Sequence, residues 1–274
     1  MKKIDPDCLI FDVDGVLISS RDTFVELVRL LVEEEWEKAG NLADAPGYSQ
    51  AMNRVLKAHG SFNEDYEIAW VLLNIASSRG TDKLSEGLPS TEQMREIISD
   101  CQGPCYEWLP ARFAIKFDLE HIRGLGIDMY TGDDGGGGMW RLDRPLAEFH
   151  WSETPLPVYI YTGRYMKEWR LAQATLGWGD FPDDRIIHLD TGISKPSPKG
   201  LEALCSRFDR ERPVFLGDTM SDKMSYDSFG RGWFAAIGDM LDDEILNEGC
   251  LRFPDVTTAL RTIVGERRTH NGRT

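Results

Sequence analysis

The sequence predicts an α/β fold: a Rossmann-like parallel sheet built from two separated pieces of chain, with an α-helical insertion between them. Three observations carry this. A short apolar run, Cys8-Leu9-Ile10-Phe11, stands alone near the N-terminus and closes in Asp12-Val13-Asp14-Gly15. From about residue 21 to 153, apolar residues recur at helical spacing and strand signals are scarce. After Pro155, short β-branched and aromatic runs alternate with helical stretches, the pattern of parallel strands joined by right-handed crossovers. The expected division is a core of residues 1–19 and 154–274 around a helical unit of residues 20–153.

Each element has its own local reason. The run at 8–11 is a buried strand, because a short apolar stretch ended by Asp-Gly turns sharply. Phe24, Leu27, Val28, Leu31 and Val32 make one face of an amphipathic helix. Tyr66, Ala69, Trp70, Leu73, Ile75 and Ala76 make another, with Asn63 as its expected N-cap. Met94, Ile97 and Ile98 mark a third after Pro89-Ser90. Val158–Tyr161 is a strand by its β-forming content, ended by Thr162-Gly163. A helix is expected over 164–176, stopped by Gly177, then a strand over 185–189. A helix over 197–208 places Pro198 in its first turn. Val214–Leu216 is a strand ending at Gly217-Asp218, followed by a helix over 220–229, a strand over 233–237 and a last helix over 255–264. The polar tail from Glu266 is expected to fray.

Composition narrows the function. The 274 residues are 41% hydrophobic and 28% charged, enough apolar content for a packed core. No apolar run reaches the ~20 residues needed to span a bilayer, and the N-terminus does not read as a secretory signal. A net charge of −15 disfavours nucleic acid and anionic lipid as partners, because phosphate polymers need clustered cations. Five scattered cysteines, an odd number, point to a reducing, cytoplasmic setting rather than a disulfide framework. Cys101 and Cys105 lack the further ligands of a zinc site, and the five histidines show no metal spacing.

In open parallel sheets the functional groups gather beyond the carboxyl ends of the strands. The polar residues there are Asp12 and Asp14, then Thr162 and Gly163, then Asp218 and Asp222, with Lys195 in the connection Ser194–Pro198. Each alone has a plain structural reading as turn, helix cap or exposed lysine. Their ordered occurrence at successive strand ends is harder to set aside. Converging carboxylates repel one another, and a divalent cation relieves the cost; hard oxygen ligands suit Mg²⁺. A carboxylate can attack phosphorus, a second can shuttle a proton, and a lysine can neutralise the transferring group.

The segments IFDVDGVL, YIYTGR, KPSPKG and LGDTMSD resemble, in order, the four motifs of the haloacid dehalogenase-like superfamily. The insertion between the first two resembles the helical cap of its subfamily I, and the stretch Gly60–Asp65 resembles an uncharacterised phosphatase branch. Carried over, the resemblance implies Asp12 as nucleophile and Mg²⁺ ligand. It implies Asp14 as general acid/base with its carbonyl on the metal. Thr162 and the Gly163 N–H would bind phosphate, Lys195 would offset charge, Asp218 would ligate the metal and Asp222 would support it, directly or through water. A carboxylate at position 14 favours phosphoryl chemistry over carbon–halogen cleavage. The expected activity is that of a Mg²⁺-dependent phosphatase acting on a small phosphorylated metabolite. A phosphomutase or a phosphonate hydrolase (with Lys38, Lys57, Lys83 or Lys116 as its lysine) is an alternative within the superfamily. A phospho-accepting receiver domain is an alternative outside it, disfavoured by the large insertion.

Around these motifs, Arg164 is expected either to reach a second anionic group of the substrate or to bridge core and cap. Ser19, Ser20 and Arg21 are placed where a flap would cross the site. The run Asp133–Gly138 lacks the Lys-Ser/Thr ending of a P-loop and is expected to be a turn. Trp36, Trp70, Trp108, Trp140 and Trp151 are expected to pack the cap.

Overall fold

The computed structural model describes residues 4–132, 137–246 and 249–265. Most of the glycine-rich run at 133–138, and the tail from Glu266, lie outside these residues. The chain runs β1 (Cys8–Phe11), β2 (Ile18–Ser19), α1 (Arg21–Lys38), α2 (Gln50–Lys57), α3 (Asp65–Ser78), α4 (Leu84–Gly87), α5 (Thr91–Ile98), α6 (Cys105–Arg112), α7 (Leu119–Thr131) and β3 (Arg144–Pro145). It continues through β4 (Val158–Tyr161), α8 (Met166–Leu176), β5 (Ile186–Ile187), α9 (Lys199–Arg207), β6 (Pro213–Gly217), α10 (Met220–Phe229), β7 (Trp233–Ile237), β8 (Leu251–Phe253) and α11 (Val256–Val264).

Six strands form one parallel sheet in the order β5-β4-β1-β6-β7-β8. Both faces are covered, which is why β1 is apolar throughout instead of alternating. Leu9 and Phe11 pack on one face with Trp169 of α8 and Leu260 of α11. Cys8 and Ile10 pack on the other with Leu201 and Leu204 of α9. The helical segment has a separate apolar core built on Leu27, Leu31, Trp36, Trp70 and Leu72. The antiparallel pair β2–β3 ties the two crossings between that segment and the sheet.

The expected strand at 185–189 shrinks to Ile186–Ile187 between two 3₁₀ turns. The Leu189 N–H turns away from the sheet to bond the Arg164 carbonyl at 3.0 Å. The expected helix at 164 begins at Met166, where Glu168 accepts from the Tyr165 N–H at 2.9 Å. Pro198 occupies the N-cap rather than the first turn. Asn63 is not a cap, because α3 starts at Asp65 after Glu64. Trp36, Trp70 and Trp108 are buried in the helical core, whereas Trp151 packs on the sheet cluster. Among the described residues no helix is long and apolar enough to cross a membrane.

Candidate active site

The strand order places β1 between β4 and β6, so the chain leaves β1 toward one sheet edge and returns to the other. That reversal opens a crevice at the carboxyl ends of the three strands. Phe11 is in register with Ile160 on one side and Leu216 on the other. The next residues of each strand therefore emerge together: Asp12 from β1, Thr162 just beyond β4, Asp218 just beyond β6. The Asp12 N–H still bonds the Leu216 carbonyl at 2.9 Å, which fixes its level relative to β6. Gly15, at φ +76°, turns the chain back beside Asp218; a Cβ there would lie 2.0 Å from Asp218 Oδ2. Only glycine permits that approach.

Lys195 reaches into the crevice from the loop before α9. Its Nζ lies 2.6 Å from Asp12 Oδ1 and 2.6 Å from Asp222 Oδ1, and it sits over the rings of Tyr161 and Phe215. Burial works against its ammonium form, but Asp12 and Asp222 overrule burial and hold it protonated. Burial pushes the Asp12 carboxyl up to about 7, against the pull of Lys195 and with added repulsion from Asp222 and Asp14. Burial, then Asp12 and Asp222, pushes the Asp218 carboxyl well above its usual range. Asp222 is fully buried; its Oδ2 accepts from the Asp218 and Thr219 N–H groups and the Thr219 hydroxyl. It braces both Lys195 and the loop that presents Asp218.

Asp14 points to Arg164. The guanidinium bonds it through Nε at 2.9 Å and Nη2 at 2.6 Å, and Ser20 adds a hydroxyl donor. The remaining guanidinium hydrogens go to the Tyr130 hydroxyl at 2.6 Å, the Glu168 carbonyl at 3.4 Å and Asp143 at 3.2 Å. A guanidinium has five N–H donors, and here all five have protein partners. Arg164 is 1% exposed. The structure thus gives it the bridging role, tying Asp14 to Tyr130 and Asp143 of the insertion, and leaves no donor for a substrate anion. Burial opposes ionisation of Asp14, but Arg164 and Ser20 outweigh it and hold the carboxyl below its ordinary value.

The helical segment covers this crevice. Asn63 reaches over to accept from the Ser221 hydroxyl at 2.6 Å, and a Cβ on Gly163 would meet its Nδ2 at 2.9 Å. Lys57 bonds the Asn63 carbonyl at 2.6 Å and Asp65 at 3.1 Å. Of the four lysines considered for Schiff-base chemistry, Lys57 is the one lining the chamber, and it is engaged there. Arg21 lies 3.9 Å from Asp218. Asp12, Asp14, Gly163, Arg164, Lys195 and Asp218 all line one chamber; Thr162 and Asp222 stand buried behind it. The Thr162 oxygen accepts from the Arg164 N–H at 3.2 Å. Local sequence patterns gave no sign of Tyr130, Asp143 or the Asn63 reach, since these act across more than 30, 20 and 150 residues respectively. The Ser20 position carried a signal, its closeness to the first strand, and its hydroxyl donates to Asp14.

Oxygen atoms of Asp12, Asp218 and Asp222 lie within 4.8 Å of one another. Asp218 Oδ1 is buried without a hydrogen-bond partner among the described residues, a costly state that a cation would relieve. The all-oxygen donor set fits a hard divalent ion.

No protein-family model and no curated protein matches the sequence. Solved structures do. A phosphatase from Thermococcus thioreducens is 22% identical, with a TM-score of 0.63 over 94% of this chain and 99% of that one. A protein from Lactobacillus delbrueckii subsp. bulgaricus, described as a candidate phosphoglycolate phosphatase, is 13% identical with a TM-score of 0.61, covering 96% and 100%. A haloacid dehalogenase-like protein of unknown function from Agrobacterium tumefaciens is 14% identical with a TM-score of 0.54, covering 95% and 98%. With a parallel α/β sheet, its crevice at the reversal of strand order and a helical insertion after the first strand, the chain has the haloacid dehalogenase-like fold.

Proposed function

We propose that the protein is a phosphatase that hydrolyses a small phosphomonoester through a phosphoryl group carried on Asp12. The observation that supports this most is Lys195, buried and within 2.6 Å of both Asp12 and Asp222, at the floor of a chamber that also holds Asp14 and Asp218. Such a cluster is costly to bury and serves a function that needs concentrated charge.

An oxygen of Asp12 attacks phosphorus while the bond from phosphorus to the alcohol oxygen breaks. Asp14 gives its proton to the departing alcohol oxygen. It then takes a proton from water, whose oxygen attacks phosphorus and frees the Asp12 carboxylate. Lys195 neutralises charge on Asp12 and on the transferring group. The Gly163 N–H lines the chamber as a phosphate donor, and Thr162, whose oxygen accepts from Arg164, keeps its own proton to donate. Asp12, Asp218 and the Asp14 carbonyl would hold a Mg²⁺ ion, with Asp222 bracing the loop, and the ion would neutralise the carboxylates and the phosphoryl oxygens. The helical insertion, residues 20–153, acts as a cap that excludes water from the first step.

Phosphate release from p-nitrophenyl phosphate with Mg²⁺ tests the reading. Wild type turns over, and Asp12→Asn loses more than about 10³-fold in kcat. Full activity in Asp12→Asn overturns it.

A further inference from the structure

A second cavity, of about 520 Å³, lies between the helical segment and the sheet, against about 100 Å³ for the chamber over Asp12. The two share Asn63, Glu64 and Lys195. The two cavities therefore adjoin at these residues, so a group esterified to a phosphate beside Lys195 lies next to the larger space.

Its lining has two characters. One part is apolar: Tyr106, Met224, Tyr165 and Pro104. Tyr106 is 45% exposed and Met224 39%, and they come from the insertion and from α10 respectively. Large apolar side chains left open to a common cavity mark a ligand site better than scattered exposure does. Aromatic rings and a thioether favour contact with another ring. The other part is polar: Arg123 bonds Glu64 at 2.8 Å and Glu67 at 2.6 Å, and Tyr165 bonds Glu64 at 3.3 Å. One guanidinium here serves two carboxylates, besides an exposed third, Glu120. The lining's two carboxylates, Glu64 and Glu67, are matched by Arg123 and Lys195, and both cations already bond carboxylates, so among the described residues this wall offers a second anion no free cation while keeping acceptors for hydroxyl or ammonium groups. In the inner chamber the cations Arg21 and Lys57 already face Asp218 and Asp65.

We propose that this cavity receives the alcohol half of the substrate, and that the substrate is a phosphomonoester of an aromatic or heteroaromatic alcohol, neutral or cationic, rather than of a compact acid. The assignment rests on the phosphatase reading for its chemistry, but its binding can be tested apart from it.

Two measurements separate the claims. The first is kcat/KM with Mg²⁺ for benzyl phosphate, methyl phosphate and phosphoglycolate. Benzyl phosphate is expected to exceed phosphoglycolate by about tenfold or more. Tyr106→Ala and Met224→Ala, both at exposed positions, are each expected to lower the benzyl-to-methyl ratio about fivefold. A preference for phosphoglycolate, or an unchanged ratio in both variants, overturns the assignment. The second is calorimetric binding of benzylphosphonate, which cannot be hydrolysed, with Mg²⁺ present. If it binds and Tyr106→Ala weakens it about fivefold while no ester is turned over, the phosphatase reading fails and the cavity assignment stands. No binding, or binding indifferent to both Tyr106 and Met224, overturns the assignment whatever the activity.

Discussion

Arg164 governs the state of Asp14. Burial alone would raise the Asp14 carboxyl, yet the two-pronged bond from Arg164 and the hydroxyl of Ser20 pull it below its ordinary value. In the proposed mechanism Asp14, ionised in the free protein, must carry a proton when the alcohol departs; the negative phosphoryl group bound beside it raises its pKa, and the pKa in that complex sets the alkaline limb of the kcat profile. Removing a donor to the carboxylate raises that pKa. Ser20→Ala is therefore expected to move the alkaline limb of kcat to higher pH, by less than about one unit. Arg164→Lys keeps the charge but loses the planar fork, and its expected loss in kcat is on the order of ten- to a hundredfold. An unmoved limb in both variants would show that Asp14 is not the proton donor. Much of this residue scale was open to sequence reading. Asp12, Asp14, Asp218 and Lys195 follow strands or fixed motifs, and their order along the chain is informative. The work of Arg164 was only half legible, because its partners Tyr130 and Asp143 lie far away in sequence and carry no motif of their own.

At the scale of elements, the turn after β4 and the loop before α3 meet face to face. Gly163 leaves room for the Asn63 amide, and Asn63 in turn accepts from Ser221 at the start of α10. Gly163→Ala would press a methyl against Asn63 Nδ2 and push the loop off the chamber. The expected result is a rise in KM of about tenfold for phosphomonoesters. Asn63→Ala removes the obstacle as well as the hydrogen bond. The double variant is thus expected to lose less than the sum of the two single losses, a coupling that steady-state kinetics on all four proteins measures. Strictly additive losses would mean the two residues do not meet in solution. The sequence led to helices where apolar spacing was long and regular, as in α1 and α3. It led nowhere for α2, α6 and α7, which are short or interrupted: α6 contains Pro110, and α7 carries Gly124 and Gly126. The strand β8 escaped notice because three residues cannot show alternation.

For the whole molecule, the concentrated carboxylates trade stability for function. Burial raises Asp12 and Glu168 to about 7 and Asp218 well above its usual value. A carboxyl whose pKa is higher folded than unfolded stabilises the fold below its unfolded pKa and loses that contribution as pH rises through the folded one. The groups with lowered values, such as Asp14, are already ionised above about pH 5 and do not contribute in this window. The metal-free protein is therefore expected to show a falling Tm between pH 5.5 and pH 8, read by thermal denaturation in a chelator. Mg²⁺ is expected to restore Tm, more at pH 8 than at pH 5.5, since it binds the deprotonated carboxylates. Asp218→Asn removes one of the repelling charges; without metal its Tm is expected to rise by about 3 °C while its response to Mg²⁺ disappears. A flat Tm across this range would contradict the burial of these groups as a charged cluster. The claim on which the account turns is that Asp12 takes the phosphoryl group. The most direct measurement is peptide mapping by mass spectrometry after acid quench of the protein turning over a phosphomonoester with Mg²⁺. The account predicts a phosphoryl adduct on Asp12, absent from Asp12→Asn; steady turnover with an unmodified Asp12, or with the adduct on another residue, would contradict it.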